Sequence, residues 1–151
     1  MEIQKDFRDL LELFNEQKVK YLIVGGYALA YHGVPRYTGD IDLWVKTSTE
    51  NAQSILAALT KFGFGDLGVT INDLNEKDQV IQLGYPPIRI DIMTSIDGVE
   101  FDEAFLTSID TYYGDITIKM ISKENLIKNK RATGRHKDLG DIEALGENPD
   151  L

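Results

Sequence analysis

Cysteine is absent from this chain of 151 residues, and histidine occurs only twice. The lack of thiols excludes a disulfide framework and any thiolate metal centre, and it fits a reducing compartment. His32 and His136 show no metal-ligand spacing, so we do not expect zinc. A Gly-x-Ser-x-Gly motif is also missing, so nothing favours chemistry through a serine nucleophile.

Long apolar runs are missing as well. None approaches the roughly 20 residues that a membrane-spanning helix needs, and the first six residues do not resemble a signal peptide. These absences predict a cytoplasmic protein that does not associate with membranes. Basic residues are few, because 16 of them against 25 acidic residues give a net charge of −9. This excess of acid disfavours wrapping of nucleic acid by bulk electrostatics, although a local basic groove is compatible with it.

Helical and strand-like patterns alternate along the chain and predict one domain over residues 1–151, with a core at 19–120 and basic C-terminal helices at 122–146. Residues 66–78 are predicted to be a loop or a short helix. The other predicted elements are helices at 6–14, 27–32, 49–61 (capped by Thr49), 122–130 and 137–145, and strands at 21–24, 40–45, 79–85, 88–93, 109–113 and 116–120. Pro86-Pro87 would join the third and fourth strands. This order predicts an α/β (α+β) fold in which helices flank a mixed sheet.

Two aspartates in the segment TGDIDLWV (residues 38–45) are the most informative feature of the chain. Apolar residues alternate there with Asp40, Asp42 and Trp44, which is typical of a half-buried strand. Both carboxylates would point to one face, where they repel each other unless a cation neutralises them. A hard divalent ion such as Mg²⁺ suits this pair and indicates phosphate chemistry. Trp44 would either stack on a base or fill the core at the end of the strand.

A third aspartate, Asp91, lies in a second alternating segment. If strand 88–93 lies beside strand 40–45, Asp91 joins the other two carboxylates on one face. Three carboxylates can hold two Mg²⁺ ions about 3.5–4 Å apart, the spacing that clamps both oxygens of a phosphoryl displacement. Taken alone, Asp91 would simply be a solvated strand residue. Arg89, on the same face, would pair with Asp91 or with another acid.

Positive charge is concentrated late in the chain. Seven of the sixteen basic residues lie between Lys119 and Lys137, with Glu124 the single acid among them. Such a stretch would suit a triphosphate or an RNA end, and it would equally suit a solvated helix face. Arg36, earlier in the chain, would contact a phosphate or pair with an aspartate.

Gly25-Gly26 follows the apolar segment 21–24. The pair is neither a P-loop nor a G-x-G-x-x-G motif, and on its own it indicates only a strand-to-helix turn. The pair becomes informative because Asp40 and Asp42 follow it at the distance seen in a known combination of motifs. An apolar strand, a glycine pair, a short helix, Asp-x-Asp and a third acid on a neighbouring strand together resemble the nucleotidyltransferase superfamily with the DNA polymerase β-like fold. The residues that carry this resemblance are Gly25-Gly26, Arg36, Thr38, Asp40-Ile41-Asp42 and Asp91.

The sequences of these motifs are most similar to those of a small bacterial branch that includes the AbiEii-type toxins of type IV toxin–antitoxin systems. The tail at 130–139 also resembles that branch, in which a lysine and an arginine of C-terminal helices flank the nucleotide. The resemblance covers roughly residues 21–145, and its two N-terminal motifs are the specific ones.

The resemblance implies a Mg²⁺-dependent enzyme that transfers a nucleoside monophosphate from an NTP such as ATP to a hydroxyl and releases pyrophosphate. It assigns two metal ions to Asp40, Asp42 and Asp91, with Asp91 also acting as general base. The turn at Gly25 and Gly26 would approach the β- and γ-phosphates. The side chains expected at the nucleotide are those of Arg36, Lys130, Arg135 and Lys137.

The acceptor implied by the resemblance is an RNA end, a protein hydroxyl or a small-molecule alcohol. Larger nucleotidyltransferases carry an extra domain for the acceptor, and this chain has little room for one. A homodimer or a partner protein, such as an antitoxin or regulator, would then complete the acceptor site. The alternative function is a non-catalytic module of the same fold that binds a nucleotide or a regulatory partner.

Overall fold

The computed structural model describes residues 3–85 and 87–150, and within these ranges the chain forms seven helices and six strands. The elements are α1 (Lys5–Glu16), β1 (Tyr21–Val24), α2 (Gly25–Tyr31), β2 (Asp40–Val45), α3 (Thr49–Phe62), α4 (Ile71–Asn75), β3 (Val80–Tyr85), β4 (Ile88–Met93), α5 (Phe101–Leu106), β5 (Ile109–Tyr113), β6 (Ile116–Met120), α6 (Lys123–Thr133) and α7 (His136–Ala144). Among the described residues, no helix is both long enough and apolar enough to cross a bilayer.

The strands form one mixed sheet in the order β3-β4-β2-β1-β6-β5. The interior strand β2 pairs antiparallel with β1 and parallel with β4. β1 lies parallel to β6, while β3–β4 and β5–β6 are antiparallel pairs. The predicted mixed sheet flanked by helices is therefore confirmed.

The core lies between the sheet and its helices. α1 buries Phe7, Leu10, Leu11 and Phe14, whose spacing of three and four residues places them on one helical face. All four residues of β1 are buried, as expected of a strand covered on both faces. Trp44 is also part of the core. Its ring packs edge-on against Phe101 with the centroids 5.1 Å apart, so the alternative of stacking on a base is wrong.

The structure corrects the sequence prediction at two helices. The N-cap of α3 is Ser48 rather than Thr49, because the Ser48 hydroxyl accepts a hydrogen bond from the Asn51 amide at 3.0 Å while Thr49 is already helical. α5 was not predicted. Its sequence does carry a short apolar stripe, because Phe101, Ala104 and Phe105 follow the spacing of one helical face and pack against the core.

Two connecting segments were also predicted from the sequence. The segment left open as a loop or a short helix contains α4, which begins with a capping box between Thr70 and Asp73. Of the predicted Pro86-Pro87 connection, Pro86 lies outside the described residues.

Candidate active site

Asp40, Asp42 and Asp91 lie on one face of the sheet, and we call this group the carboxylate face. β2 runs parallel to β4 with Asp42 paired to Asp91 and Asp40 paired to Arg89. Since neighbouring strands lie about 4.8 Å apart, paired side chains on one face are direct neighbours. The strand alternation then directs Ile41 into the core on the other side, where it is buried. Strand 88–93 therefore lies beside strand 40–45, as the prediction of three carboxylates on one face required.

Arg89 binds two of the three carboxylates. Its Nε donates to Asp91 Oδ1 at 2.8 Å and its Nη2 donates to Asp91 Oδ2 at 3.0 Å. The same Nη2 lies 3.0 Å from Asp40 Oδ2. Arg89 thus pairs both with Asp91 and with another acid on the same face. This arrangement compensates the charge of Asp91, which is only 7% exposed.

Asp42 has a different environment. Burial, together with the negative charges of Asp91 and Asp40, raises the pKa of Asp42 to about 6, although Arg89 and Lys130 act in the opposite direction. Within residues 3–85 and 87–150, no hydrogen bond or ion pair to the Asp42 carboxylate is found. Near neutral pH, the carboxylate face therefore carries negative charge that the protein itself does not neutralise.

The turn between β1 and α2 lies directly against Asp42. Gly25 has a φ of +68°, and a Cβ at this position would overlap the Asp42 carboxylate. A Cβ at Gly26 would lie 3.2 Å from the Cβ of Thr38. Thr38 in turn donates a hydrogen bond from its hydroxyl to the Asp40 carbonyl at 2.9 Å. Glycine at position 25 is thus required for the close approach of the turn to the carboxylate face.

The donor set of the carboxylate face fits a hard divalent cation. Carboxylate oxygens are the ligands that Mg²⁺ prefers, and a cation beside Asp42 would offset the burial and the repulsion that raise its pKa. In the part of the chain that the structure describes, no three acidic or histidine side chains already converge as a ready-made cage. Because Arg89 is bonded to Asp40 and Asp91, these two would become ligands only after the guanidinium moves.

A cleft of about 430 Å³ is lined by the segments that lead into β2 and β4, and the three carboxylates are not among its lining residues. Its lining includes Tyr37, Thr38 and Gly39 from the α2–β2 loop, and Pro87 and Ile88 from the start of β4. The two segments touch, because a Cβ at Gly39 would overlap the Pro87 carbonyl oxygen. Tyr37 is 87% exposed and presents its ring to the solvent side of the lining. A concave site with apolar and aromatic walls suits a ring-bearing small molecule.

Arg36, Lys130 and Arg135 together pair with two aspartates of α7, Asp138 and Asp141, and we call these five residues the α7 ion network. Lys130 Nζ lies 3.0 Å from Asp141 Oδ2 and 3.4 Å from Asp138 Oδ1. Arg36 also pairs with Asp141, and Arg135 Nε donates to Asp138 at 2.7 Å. Burial alone would raise the pKa of both aspartates, but hydrogen bonds from these cations hold the pKa of each below its usual range.

The predicted nucleotide-binding cations therefore lie in three different settings. Lys130 is 8% exposed, yet its charge reaches Asp42 and lowers the pKa of that group. Arg36 lines the cleft as well as pairing with α7. Arg135 and Lys137 are exposed at the start of α7.

Neither aspartate of the α7 ion network was predicted from the sequence. A signal was present, because Asp138 and Asp141 share one helical face with Ile142 and Leu145, at spacings of three, four and seven residues. All four are buried. Two aspartates inside an apolar stripe indicate buried charges, and buried charges require partners.

Comparison with known proteins identifies the fold and the family. Searched against solved structures, the chain is similar to the lincosamide antibiotic adenylyltransferase LnuA bound to lincomycin, with a TM-score of 0.58 and 21% identity over 95% of this chain and 96% of LnuA. It is also similar to a Thermotoga maritima protein assigned as a nucleotidyltransferase, with a TM-score of 0.54 and 17% identity over 91% of this chain and 84% of the other. Both likenesses concern the fold.

Searched against curated protein sequences, the chain has no match. A sequence profile, in contrast, matches residues 3–149, which is nearly the whole chain. The family of that profile is described as nucleotidyl transferase of unknown function (DUF2204). The resemblance drawn from the glycine pair and the aspartates is thereby confirmed at the level of the superfamily, and the chain belongs to the nucleotidyl transferase family DUF2204.

Proposed function

We propose that this protein is a divalent-cation-dependent enzyme that transfers a nucleoside monophosphate from an NTP to a hydroxyl and releases pyrophosphate. The observation that carries the proposal is the register of β2 on β4, which places Asp42 beside Asp91 without a bonded cation of its own. Membership of a nucleotidyl transferase family supports the reaction class. The donor chemistry of the carboxylate face supports the use of Mg²⁺.

In the proposed reaction, the acceptor oxygen forms a bond to the α-phosphorus as the bond from that phosphorus to the pyrophosphate oxygen breaks. The proton of the acceptor hydroxyl passes to a carboxylate, and we assign this role to Asp91. Bound divalent ions, two in the pattern that the sequence resembles, would neutralise charge on the reacting phosphates and on the leaving group. The contribution of the protein is to position the substrates and to exclude competing geometries.

The triphosphate would lie along the turn at Gly25-Gly26, since this turn lies directly against Asp42 of the carboxylate face. Arg36 and Lys130 are the cations that we assign to its negative charge. Both now share Asp141, so either can turn from that carboxylate to a phosphate without leaving a buried charge alone. Arg135 and Lys137, which are more exposed, would act at longer range.

We place the acceptor in the cleft of about 430 Å³, because its lining residues Gly39 and Ile88 directly precede Asp40 and Arg89, and we expect a small molecule with a ring and a free hydroxyl. Tyr37 and Ile88 offer it apolar contact, and the similar fold of an adenylyltransferase bound to lincomycin makes ATP and such a molecule the first pair to test. RNA ends and protein hydroxyls, the acceptors of a toxin, are the other outcomes. Dependence on an antitoxin, a regulator or a second copy would appear as turnover only in its presence.

The test is transfer of label from each α-labelled NTP, with Mg²⁺, to a panel of lincosamide and aminoglycoside alcohols, tRNA and purified protein. We expect labelled product and stoichiometric pyrophosphate with one NTP and one acceptor class. Asp42→Asn should abolish both. Asp102→Asn is the matched control, because Asp102 lies on α5 in an exposed pair with Lys46. A folded protein that neither binds nor turns over any NTP would contradict the proposal and leave the non-catalytic alternative.

A further inference from the structure

Arg89 occupies the position between Asp40 and Asp91 that a cation of the carboxylate face would otherwise take. It makes two hydrogen bonds to Asp91, at 2.8 and 3.0 Å, and contacts Asp40 at 3.0 Å. Its planar guanidinium can contact two carboxylates at once, which the single ammonium of a lysine does less well. Asp42 is outside this arrangement. The free protein thus has one carboxylate open to a divalent ion and two that are already occupied.

We propose that Arg89 is an internal cation that competes with divalent ions for Asp40 and Asp91 and is displaced when the metal site forms. This inference rests on the proposed function, because it concerns the same carboxylates. Its physical basis is the burial of Asp91, whose charge is costly unless a cation is always beside it. Arg89 supplies that cation in the free protein, and the metal supplies it in the complex.

The displacement needs no change in the backbone. Arg89 is paired in register with Asp40, so its side chain already lies on the carboxylate face. Its side chain is 24% exposed, which leaves a path by which the guanidinium can turn towards solvent or towards a bound phosphate. Binding of a divalent ion to the free protein should therefore be weak, and loss of Arg89 should strengthen it.

The test measures Mn²⁺ binding to the nucleotide-free protein by electron paramagnetic resonance and by calorimetry. Compared with the wild type, Arg89→Gln should bind Mn²⁺ at least about tenfold more tightly, since two carboxylates lose their charge-assisted partner. Arg89→Lys should lie between the two. Lys46→Gln is the matched control, because it removes one positive charge of similar exposure, 30% against 24%, that pairs with Asp102 instead.

A second readout guards against a folding defect. Arg89→Gln should melt at a lower temperature than the wild type without metal, because Asp91 is then uncompensated, and Mn²⁺ should raise its melting temperature more than that of the wild type. If Arg89→Gln does not fold, the intermediate tightening in Arg89→Lys decides. Equal Mn²⁺ affinity in the wild type and the Arg89 variants would overturn this inference and leave the metal site intact. If no folded variant binds Mn²⁺, both this inference and the proposed metal site are overturned.

Discussion

The carboxylate face and the α7 ion network are built from the same residue types but differ in charge balance. In the α7 ion network, three cations contact two buried aspartates, and both aspartates have a lowered pKa. On the carboxylate face, one guanidinium pairs with two of the three carboxylates, and the third, Asp42, has a raised pKa. The α7 ion network thus neutralises its own buried charge, whereas the carboxylate face keeps negative charge that a bound cation would neutralise.

The largest effect should follow from neutralising the uncompensated region. Asp42→Asn should lower kcat/KM for nucleotidyl transfer by roughly 10³-fold or more, because it removes charge that acts on the reacting phosphates. The protein should remain folded, since no bond within the described residues is lost. The measurement is steady-state transfer with the NTP found in the acceptor screen.

The control for this prediction is Asp102→Asn, an aspartate that pairs with Lys46 on the surface. Its kcat/KM should stay within about twofold of the wild-type value, because exposed ion pairs contribute little. Equal losses in both variants would mean that general charge, rather than the carboxylate face, governs turnover.

The next effect concerns the compensated region and should be structural. Asp141→Asn removes a carboxylate that two cations share, leaving buried charge without its partner, and should lower the free energy of unfolding by about 3 kcal/mol. Chemical denaturation measures this directly. Asp110→Asn, which breaks only the exposed pair with Lys119, should cost no more than about 0.5 kcal/mol. If Asp141→Asn lowers the free energy of unfolding by less than about 0.5 kcal/mol, the α7 ion network does not stabilise the packing of α7 on the rest of the fold.

The pH dependence of stability should distinguish the two regions in sign. The pKa of Asp42 is raised to about 6 in the folded state, so the folded protein holds a proton that the unfolded chain releases from about pH 4 upwards. Asp42 therefore costs stability progressively between about pH 4 and 6, by about 3 kcal/mol in full. Asp42→Asn should match the wild type at pH 4 and be more stable than it at pH 8.

The aspartates of the α7 ion network should act oppositely. The pKa values of Asp138 and Asp141 are lowered, so their contribution is present above the usual aspartate range and is lost as the pH falls below about 4. Urea titrations at a series of pH values, from below pH 4 to pH 8, would measure the contributions of Asp42 and of the two α7 aspartates to the free energy of unfolding. A wild-type stability advantage over Asp42→Asn that grows from pH 4 to pH 8 would contradict the assignment of Asp42 as uncompensated.

The smallest effect should be at the exposed start of α7. Lys137→Gln should raise the KM for NTP only two- to threefold at low ionic strength, an order-of-magnitude expectation for a solvent-screened charge, and the difference should vanish in high salt. Lys61→Gln, at the exposed end of α3, should leave KM unchanged. A large, salt-independent effect at Lys137 would place it in direct contact with the nucleotide.

The sequence predicted the carboxylate face better than the α7 ion network for a physical reason. Period-2 alternation is a local pattern, and it placed Asp40 and Asp42 on one face without knowledge of the fold. The position of Asp91 depended on one non-local fact, the pairing of β2 with β4. The pairing of Arg89 with both Asp91 and Asp40 also depends on that register.

The α7 ion network depends on contacts that a local pattern does not contain. Arg36 and Asp141 are 105 residues apart in the chain, so the interpretation of Arg36 stayed open between a phosphate and an aspartate. Lys130 lies in a basic stretch, and its partners begin only eight residues later, after that stretch has ended. Charge density along the sequence predicted an anion site, and it did not reveal that Lys130 and Arg135 pair with aspartates of the chain itself.

The most direct test of the central claim is calorimetric titration of ATP, GTP, CTP and UTP into the wild type and Asp42→Asn, with Mg²⁺ and with chelator. Asp102→Asn serves as the control. If the carboxylate face is a nucleotide–metal site, at least one NTP binds the wild type and the control only with Mg²⁺, and Asp42→Asn loses that binding. Equal binding to all three proteins, or binding that the chelator does not affect, would contradict the account.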